Sequence, residues 1–318
     1  MDDHLATLEQ HDFTAQSLHP KLLATAKGIS IQQINDPYSF YDDNIKLFYQ
    51  QALPPPGTDQ VGDVLLLHGA AYSSKDWATR VGQPGPTTMQ IVAAAGYRVV
   101  ALDQPGFKRR TEGTLRRSRS SFMKDLVARL KMHRPAIVSP SNSGSFSLTF
   151  VHDYQHLVGA FIPIAACCPN NIRQDWSKVE IPLLIIRGES DGSVFAEFQQ
   201  TKYHNTFIVP KAGHAAYLHQ PDLWHTALVN FLNFVFREPY TATELRRTNP
   251  YIESSETSRH TRHNRTSSTH SEPQQQQSTG TATVQTRPQP LLLHCALLVC
   301  VLTTVLSLNC IAAVPDHP

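Results

Sequence analysis

Cysteine is scarce in this 318-residue chain, and the 5 present are poorly placed for cross-linking. Cys167 and Cys168 are adjacent, while Cys295, Cys300 and Cys310 share one apolar tail. This excludes a disulfide framework. No CxxC pair or Cys/His cluster has zinc spacing, so no metal is expected. Charge of one sign is lacking too. Lys and Arg number 28 against 26 Asp and Glu, a net +2, which gives no pull toward nucleic acid. The opening MDDHLATLEQHDF is acidic and holds no apolar core, so no secretory leader is read there. A reducing compartment follows as the default for the folded part. No internal repeat is present.

What the chain does have is a change of character near residue 240. Residues 241–290 are dominated by Ser, Thr, Gln, His, Arg and Pro, including SRHTRHNRTSSTH and PQQQQ. Such a composition cannot bury enough apolar surface to offset chain entropy and is read as a disordered linker. Residues 291–314, LLLHCALLVCVLTTVLSLNCIAAV, follow almost free of charge. Residues 1–27 are read as an N-terminal extension and 28–240 as the folded domain.

Within that domain, GISIQQI (28–34) and IKLFYQ (45–50) suggest an antiparallel start. DVLLLH (63–68), RVVALD (98–103), PAIVS (135–139), GAFIPIA (159–165), PLLIIR (182–187) and NTFIVP (205–210) are short strand candidates. Most are continuous apolar runs, the mark of parallel strands buried on both faces. Helical patterns lie at 87–97, 118–133 and 221–236, the first stopped by Gly96 and the last opened by Pro221 and Asp222. Strand–helix alternation on this scale predicts an α/β domain, a mostly parallel sheet with helices on both faces.

The stretch VSPSNSGSFS (138–147) follows one of these strands and is crowded with small residues. A strand that turns sharply into a helix holds its turning residue in strained geometry, and the residues two before and two after come close together. Taking Ser143 as the turning residue puts Ser141 and Ser145 at the flanks and Gly144 directly after it. Taking Ser141 puts Pro140 before it and starts the helix a turn early; taking Ser145 leaves the strand too far behind. Ser143 is therefore the expected nucleophile.

A serine hydroxyl needs a base, and the base needs orienting. In the strand–turn–helix arrangement the chain order is Ser, acid, His. Asp191 lies in the loop after PLLIIRG, with Glu189 as rival, and His214 lies in KAGH after the next strand. All three leave the same sheet edge, where α/β enzymes place their sites. His219 and His225 are nearby decoys, and His68 is expected to hold loop shape. The developing oxyanion needs two backbone N–H groups; Ala70, after His68 and Gly69, and Gly144 are the candidates.

VLLLHGA, GYRVVALDQPGF, VSPSNSGSFSL and AGHAAYLHQPDLWH, in this order, resemble the α/β-hydrolase superfamily. More narrowly they resemble the abhydrolase-domain-containing protein 14 family, with its S-P-S-x-S-G elbow and G-A-G-H loop. The similarity spans roughly residues 28 to 236. It implies a serine hydrolase with Ser143, Asp191 and His214 as triad, acting on small acyl esters or related acyl groups without a cofactor. The acyl group passes to water or to another acceptor. A non-catalytic scaffold of the same fold is the alternative.

Two departures stand out. The superfamily's D-x-P-G-x-G-x-S loop reads DQPGFKRR here, with Lys108 at the second glycine position and Arg110 at the serine position. Lys108, Arg109 and Arg110 suggest an anionic group near the site; a solvated surface run is the plainer reading. The family's first loop glycine is replaced by Lys211. Only a short stretch separates GAFIPIA from PLLIIR, so no large cap is expected, and the pocket should be open. As a helix, 291–314 would span ~36 Å at ~1.5 Å per residue, enough for a bilayer. It is read as a tail anchor with the catalytic domain in the cytosol. The rivals are a cytoplasmic protein and, from STG (278–280) with its spacer, lipid anchoring at the cell surface. Sugar on Asn264 would overturn the tail-anchor expectation. Protein partners are not indicated.

Overall fold

The computed structural model describes residues 2–36, 44–80, 82, 84–107, 109–167, 174–192 and 196–237. Eight strands form one sheet: β1 (Ile31–Asp36), β2 (Leu47–Ala52), β3 (Gly62–Leu66), β4 (Tyr97–Leu102), β5 (Ala136–Pro140), β6 (Ala160–Ile164), β7 (Leu183–Gly188) and β8 (His204–Val209). The helices are α1 (Asp2–Leu5), α2 (Pro20–Lys27), α3 (Lys75–Ala78), α4 (Thr88–Ala94), α5 (Arg119–Arg129), α6 (Gly144–Asp153), α7 (Ala216–His219) and α8 (Pro221–Arg237).

The strand order is β1-β2-β4-β3-β5-β6-β7-β8. β1 and β2 pair antiparallel, as do β2 and β4; every later pair is parallel. The continuous apolar runs are explained by two cores, one on each face. Val64, Leu66, Val99 and Ala101 join the core under α4 and α8. Their neighbours Leu65, Leu67, Val100 and Leu102 join the core under α5 and α6. Alternate side chains of one strand thus serve opposite layers, which keeps most positions of the central strands apolar.

Helix ends follow local chemistry. Thr87 and Gln90 exchange side-chain-to-backbone bonds in a capping box that opens α4. Its exit is Gly96 at φ +98°, a conformation that costs glycine little. Ser118 caps α5 by accepting from Ser121 N.

The segment 2–27 belongs to the same core. Leu5, Leu8 and Phe13 are buried in the layer that holds α8. Asn205 Nδ2 donates to Leu8 O at 2.9 Å and His11 O at 2.8 Å. Asn230 Nδ2 donates to Phe13 O at 2.9 Å and Gln16 O at 2.8 Å. Burial of a Leu or Phe of this kind is worth about 1.5–3 kcal/mol each, so this stretch is structural.

The chain reverses its direction of travel across the sheet between β3 and β5, which are neighbours in space. A crevice at the carboxyl ends of strands at such a point is where open α/β sheets place ligands. Between β6 and β7 lie residues 165–182, too few for a large cap; of these, Trp176–Lys178 form a single turn. The linker 241–290 and the apolar segment 291–314 lie outside the described residues, so the anchor and lipid-attachment expectations are untouched by the fold. Among the described residues, no helix is long and apolar enough to cross a membrane.

Candidate active site

Strand β5 ends at Pro140, whose φ of −86° and ψ of 140° are extended backbone. Ser141 then turns at φ +51°, in the left-handed region. For a residue with a Cβ this conformation costs on the order of 1–3 kcal/mol and persists only when its surroundings enforce it. Two enforcers are visible. Cys167 N donates to Ser141 O at 2.9 Å from the loop after β6. The flanking serines, Ser139 and Ser143, meet at 2.9 Å between hydroxyl oxygens.

His214 arrives from the loop after β8, and its Nε2 lies 2.8 Å from Ser141 Oγ. Asp191 arrives from the loop after β7, and its Oδ2 lies 3.0 Å from His214 Nδ1. The three groups form one hydrogen-bonded line. With Nδ1–H donating to the carboxylate, Nε2 is left to accept the serine proton. The imidazole is half exposed and the Asp191 side chain nearly buried, so the site opens to solvent on one side. The rival acid Glu189 is turned elsewhere, its Oε2 accepting Lys211 N at 2.9 Å.

The serine beside the histidine is therefore Ser141, a correction to the expectation of Ser143. Hydroxyl bookkeeping gives the reason. Ser143 Oγ donates its single proton to Pro140 O at 2.6 Å. Its contact with Ser139 must then be donated by Ser139. Ser139 has spent its own proton, so the 2.6 Å contact with Ser147 is donated by Ser147. The relay Ser147 → Ser139 → Ser143 → Pro140 O is closed and fully buried. Pro140 does not bring the helix in early, because it completes β5 and a single 3-10 turn, Ser141–Ser143, intervenes before α6.

Gly144 is corrected with it. Its N–H bonds back to Ser141 O and Asn142 O within that turn and is not offered to a ligand. Its small size serves packing instead: a Cβ there would sit 2.5 Å from Cys167 O and 2.9 Å from Cys167 N. The residue after Ser141 is Asn142, whose N–H opens the turn, where helical amides lack internal partners. Ala70 stands exposed after β3. Its loop is held by Trp77, whose Nε1 donates to Leu67 O at 2.8 Å, and by Arg109, which donates to Tyr72 O at 2.7 Å and Ala70 O at 3.2 Å.

His68 is buried between the loops after β3 and β4. Its Nε2 accepts Gln104 N at 3.1 Å and its Nδ1 donates to Gly69 O at 2.9 Å. Burial pushes its pKa below the ordinary value, in keeping with a neutral ring that holds shape. His219 accepts Gly213 N at 2.9 Å and so shapes the turn before His214. Among the described residues, no three His, Cys, Asp or Glu side chains gather as a metal site.

No family model matches the chain. Among curated proteins, it is 34% identical over 195 residues to one from Rattus norvegicus named "Putative protein-lysine deacylase ABHD14B", covering 58% of this chain and 90% of that one. The chain belongs to the abhydrolase-domain-containing protein 14 family. "Protein ABHD14A" from Homo sapiens is 35% identical over 199 residues, covering 60% of this chain and 70% of that protein. The α/β-hydrolase fold is shared with solved structures. A predicted CIB-like hydrolase from Thermoplasma acidophilum superposes with a TM-score of 0.55 at 20% identity, over 64% of this chain and 99% of that one. An esterase from Thermogutta terrifontis gives 0.51 at 14% identity, over 64% and 99%.

Set against the family elbow S-P-S-x-S-G, Ser139 to Gly144 fit position for position, and Ser141 is the central serine. Two supports escaped the sequence reading. Tyr217 stacks on Trp77 at 4.5 Å, tying the His214 loop to the Ala70 loop; the YLHQPDLWH stretch gave no hint of that partner. Ser147 supplies the first proton of the relay to Ser139, eight residues back across the turn, a pairing that no local spacing signals. Lys211, at the family's glycine position, has φ +54°. Lys108 lies outside the described residues.

Proposed function

We propose that this ABHD14-family chain is a serine hydrolase with Ser141 as nucleophile, His214 as general base and acid, and Asp191 as the orienting carboxylate. Ser141 Oγ attacks an acyl carbonyl while His214 Nε2 takes its proton; Asp191 stabilises the imidazolium through Nδ1–H. The N–H groups of Ala70 and Asn142 receive the oxyanion. His214 then protonates the leaving alcohol or amine, and the acyl group stays on Ser141 until water or another acceptor takes it. The observation that carries this reading is the unbroken line Ser141 Oγ, His214 Nε2, Asp191 Oδ2, at 2.8 and 3.0 Å, on a serine at φ +51°.

The short β6–β7 connection and the half-exposed imidazole favour small acyl groups, including ones displayed on a larger molecule, over long lipid chains. The deacylase name of the rat relative makes acyl-lysine amides a substrate class to try beside esters. The test is labelling of the full chain by a fluorophosphonate probe, together with an acyl-ester and acyl-lysine panel. Labelling and turnover that vanish in Ser141→Ala support the hydrolase. Folded parent protein that neither labels nor turns over any member would favour a non-catalytic scaffold.

A further inference from the structure

A cavity of about 430 Å³ lies beside the Ala70 loop, between β1 and β2, α3 and the loop after β4. Three cations line it: Lys75, Arg109 and Arg110. Among the described residues, none of the three is paired with a carboxylate side chain. The one carboxylate in the lining is Asp103, which is buried. Both its oxygens are engaged by backbone amides, Oδ1 by Ser74 N at 2.7 Å and Oδ2 by Arg110 N at 3.1 Å. Three cations against one carboxylate leave two positive charges facing the cavity.

The cations are also partly ordered in advance. The Arg110 guanidinium lies 3.7 Å over the Phe48 ring, and its Nη1 donates to Gln33 Oε1 at 2.9 Å. A guanidinium fixed in this way loses little freedom on meeting a ligand, and its planar edge suits bidentate contact with an oxyanion. Arg109 is held through its bonds to Tyr72 O and Ala70 O. Phe48, with Ile31 and Ala78, adds apolar wall. The space is larger than a bare inorganic ion would fill.

We propose that this cavity binds a phosphomonoester carried on a short apolar or aromatic body. The phosphate is a dianion at neutral pH and matches the two uncompensated charges; the body lies against Ile31 and Ala78. The site stands whether or not Ser141 is a nucleophile.

The experiment is isothermal titration of the full chain with phenyl phosphate, inorganic phosphate and phenol. The expected result is saturable one-to-one binding of phenyl phosphate that weakens with added salt. Inorganic phosphate should bind less tightly and phenol not measurably. Lys75→Gln and Arg110→Gln should each weaken phenyl phosphate about tenfold or more, while Ser141→Ala binds as the parent does. Lys75 is exposed, so its variant keeps the test open should Arg110→Gln fail to fold. The proposal is overturned by absence of saturable heat with phenyl phosphate, by binding that Lys75→Gln leaves unchanged, or by phenol or inorganic phosphate binding as tightly.

Discussion

His214 Nε2 meets Ser141 Oγ at 2.8 Å, while Ser143, two residues on, faces inward and gives its proton to Pro140 O. The two serines therefore have opposite mutational signatures. Ser141→Ala should abolish fluorophosphonate labelling and lower kcat by about 10³-fold or more with the fold intact. Ser143→Ala should keep a nucleophile and lose stability, by about 1–3 kcal/mol, because Ser139 and Pro140 O lose a buried partner. A Ser143→Ala protein that is fully stable yet unlabelled would reverse the assignment.

The acid can be separated from its rival in the same way. Asp191 Oδ2 holds His214 Nδ1, whereas Glu189 holds Lys211 N. Asp191→Asn should lower kcat by about 10³–10⁴ by favouring the wrong imidazole tautomer. Glu189→Gln should leave kcat within a few-fold of the parent. Steady-state kinetics on one ester decide the matter, and equal losses in both would refute the assignment.

Gly144→Ala tests the packing of the elbow. The new methyl would press on the Cys167 backbone at 2.5 and 2.9 Å, where neither side is a flexible side chain. A loss of about 1–3 kcal/mol in urea denaturation is expected, with a fall in kcat because Cys167 N anchors Ser141 O. Unchanged stability would mean that the two segments can move apart to admit the methyl group.

Asn205 is the test for the N-terminal segment. Its amide serves the carbonyls of Leu8 and His11, and Asn205→Leu would leave them without that donor. A loss of about 1–3 kcal/mol is expected, with faster proteolysis before residue 20 and kcat near that of the parent. If the variant resists protease as the parent does, Leu5, Leu8 and Phe13 hold the segment without it.

His225 provides a pH prediction. It is buried on α8 with Nε2 3.0 Å from Thr88 Oγ1. Burial, reinforced by Arg80 and opposed by Asp222, pushes its pKa from the ordinary 6.5 down to about 3. Between those values the unfolded chain carries a proton that the folded chain lacks, so stability rises with pH. The contribution is complete above 6.5 and is lost as pH falls toward 3, at up to ~1.4 kcal/mol per pH unit. Burial lowers His68 and His133 in the same sense, so the parent slope is shared. His225→Gln should flatten it by one histidine's share, read from urea midpoints between neutral pH and about pH 5. An identical slope in the variant would sink the idea.

The central strands were legible because their apolar runs serve two layers, so apolar residues fill most of their positions. Asp191 and His214 were legible for a related reason, since each follows a recognisable strand end. The choice among Ser141, Ser143 and Ser145 was not. Their spacing is the same, and the decision is made by the Cys167 amide and the Ser147 hydroxyl, groups outside the turn. The role of residues 2–27 was hidden likewise: Asn205 and Asn230, which hold them, lie nearly a whole domain away in sequence.

Where glycines flank an elbow, closeness comes from an absence of atoms. Here Ser139 and Ser143 reach it through a one-way clasp fed by Ser147. Glycine at both flanks would therefore not simplify this turn. It would remove the Ser139 acceptor of the Ser147 hydroxyl in a dry interior and strip Pro140 O of its donor, so this turn depends on the polarity of its own flanks.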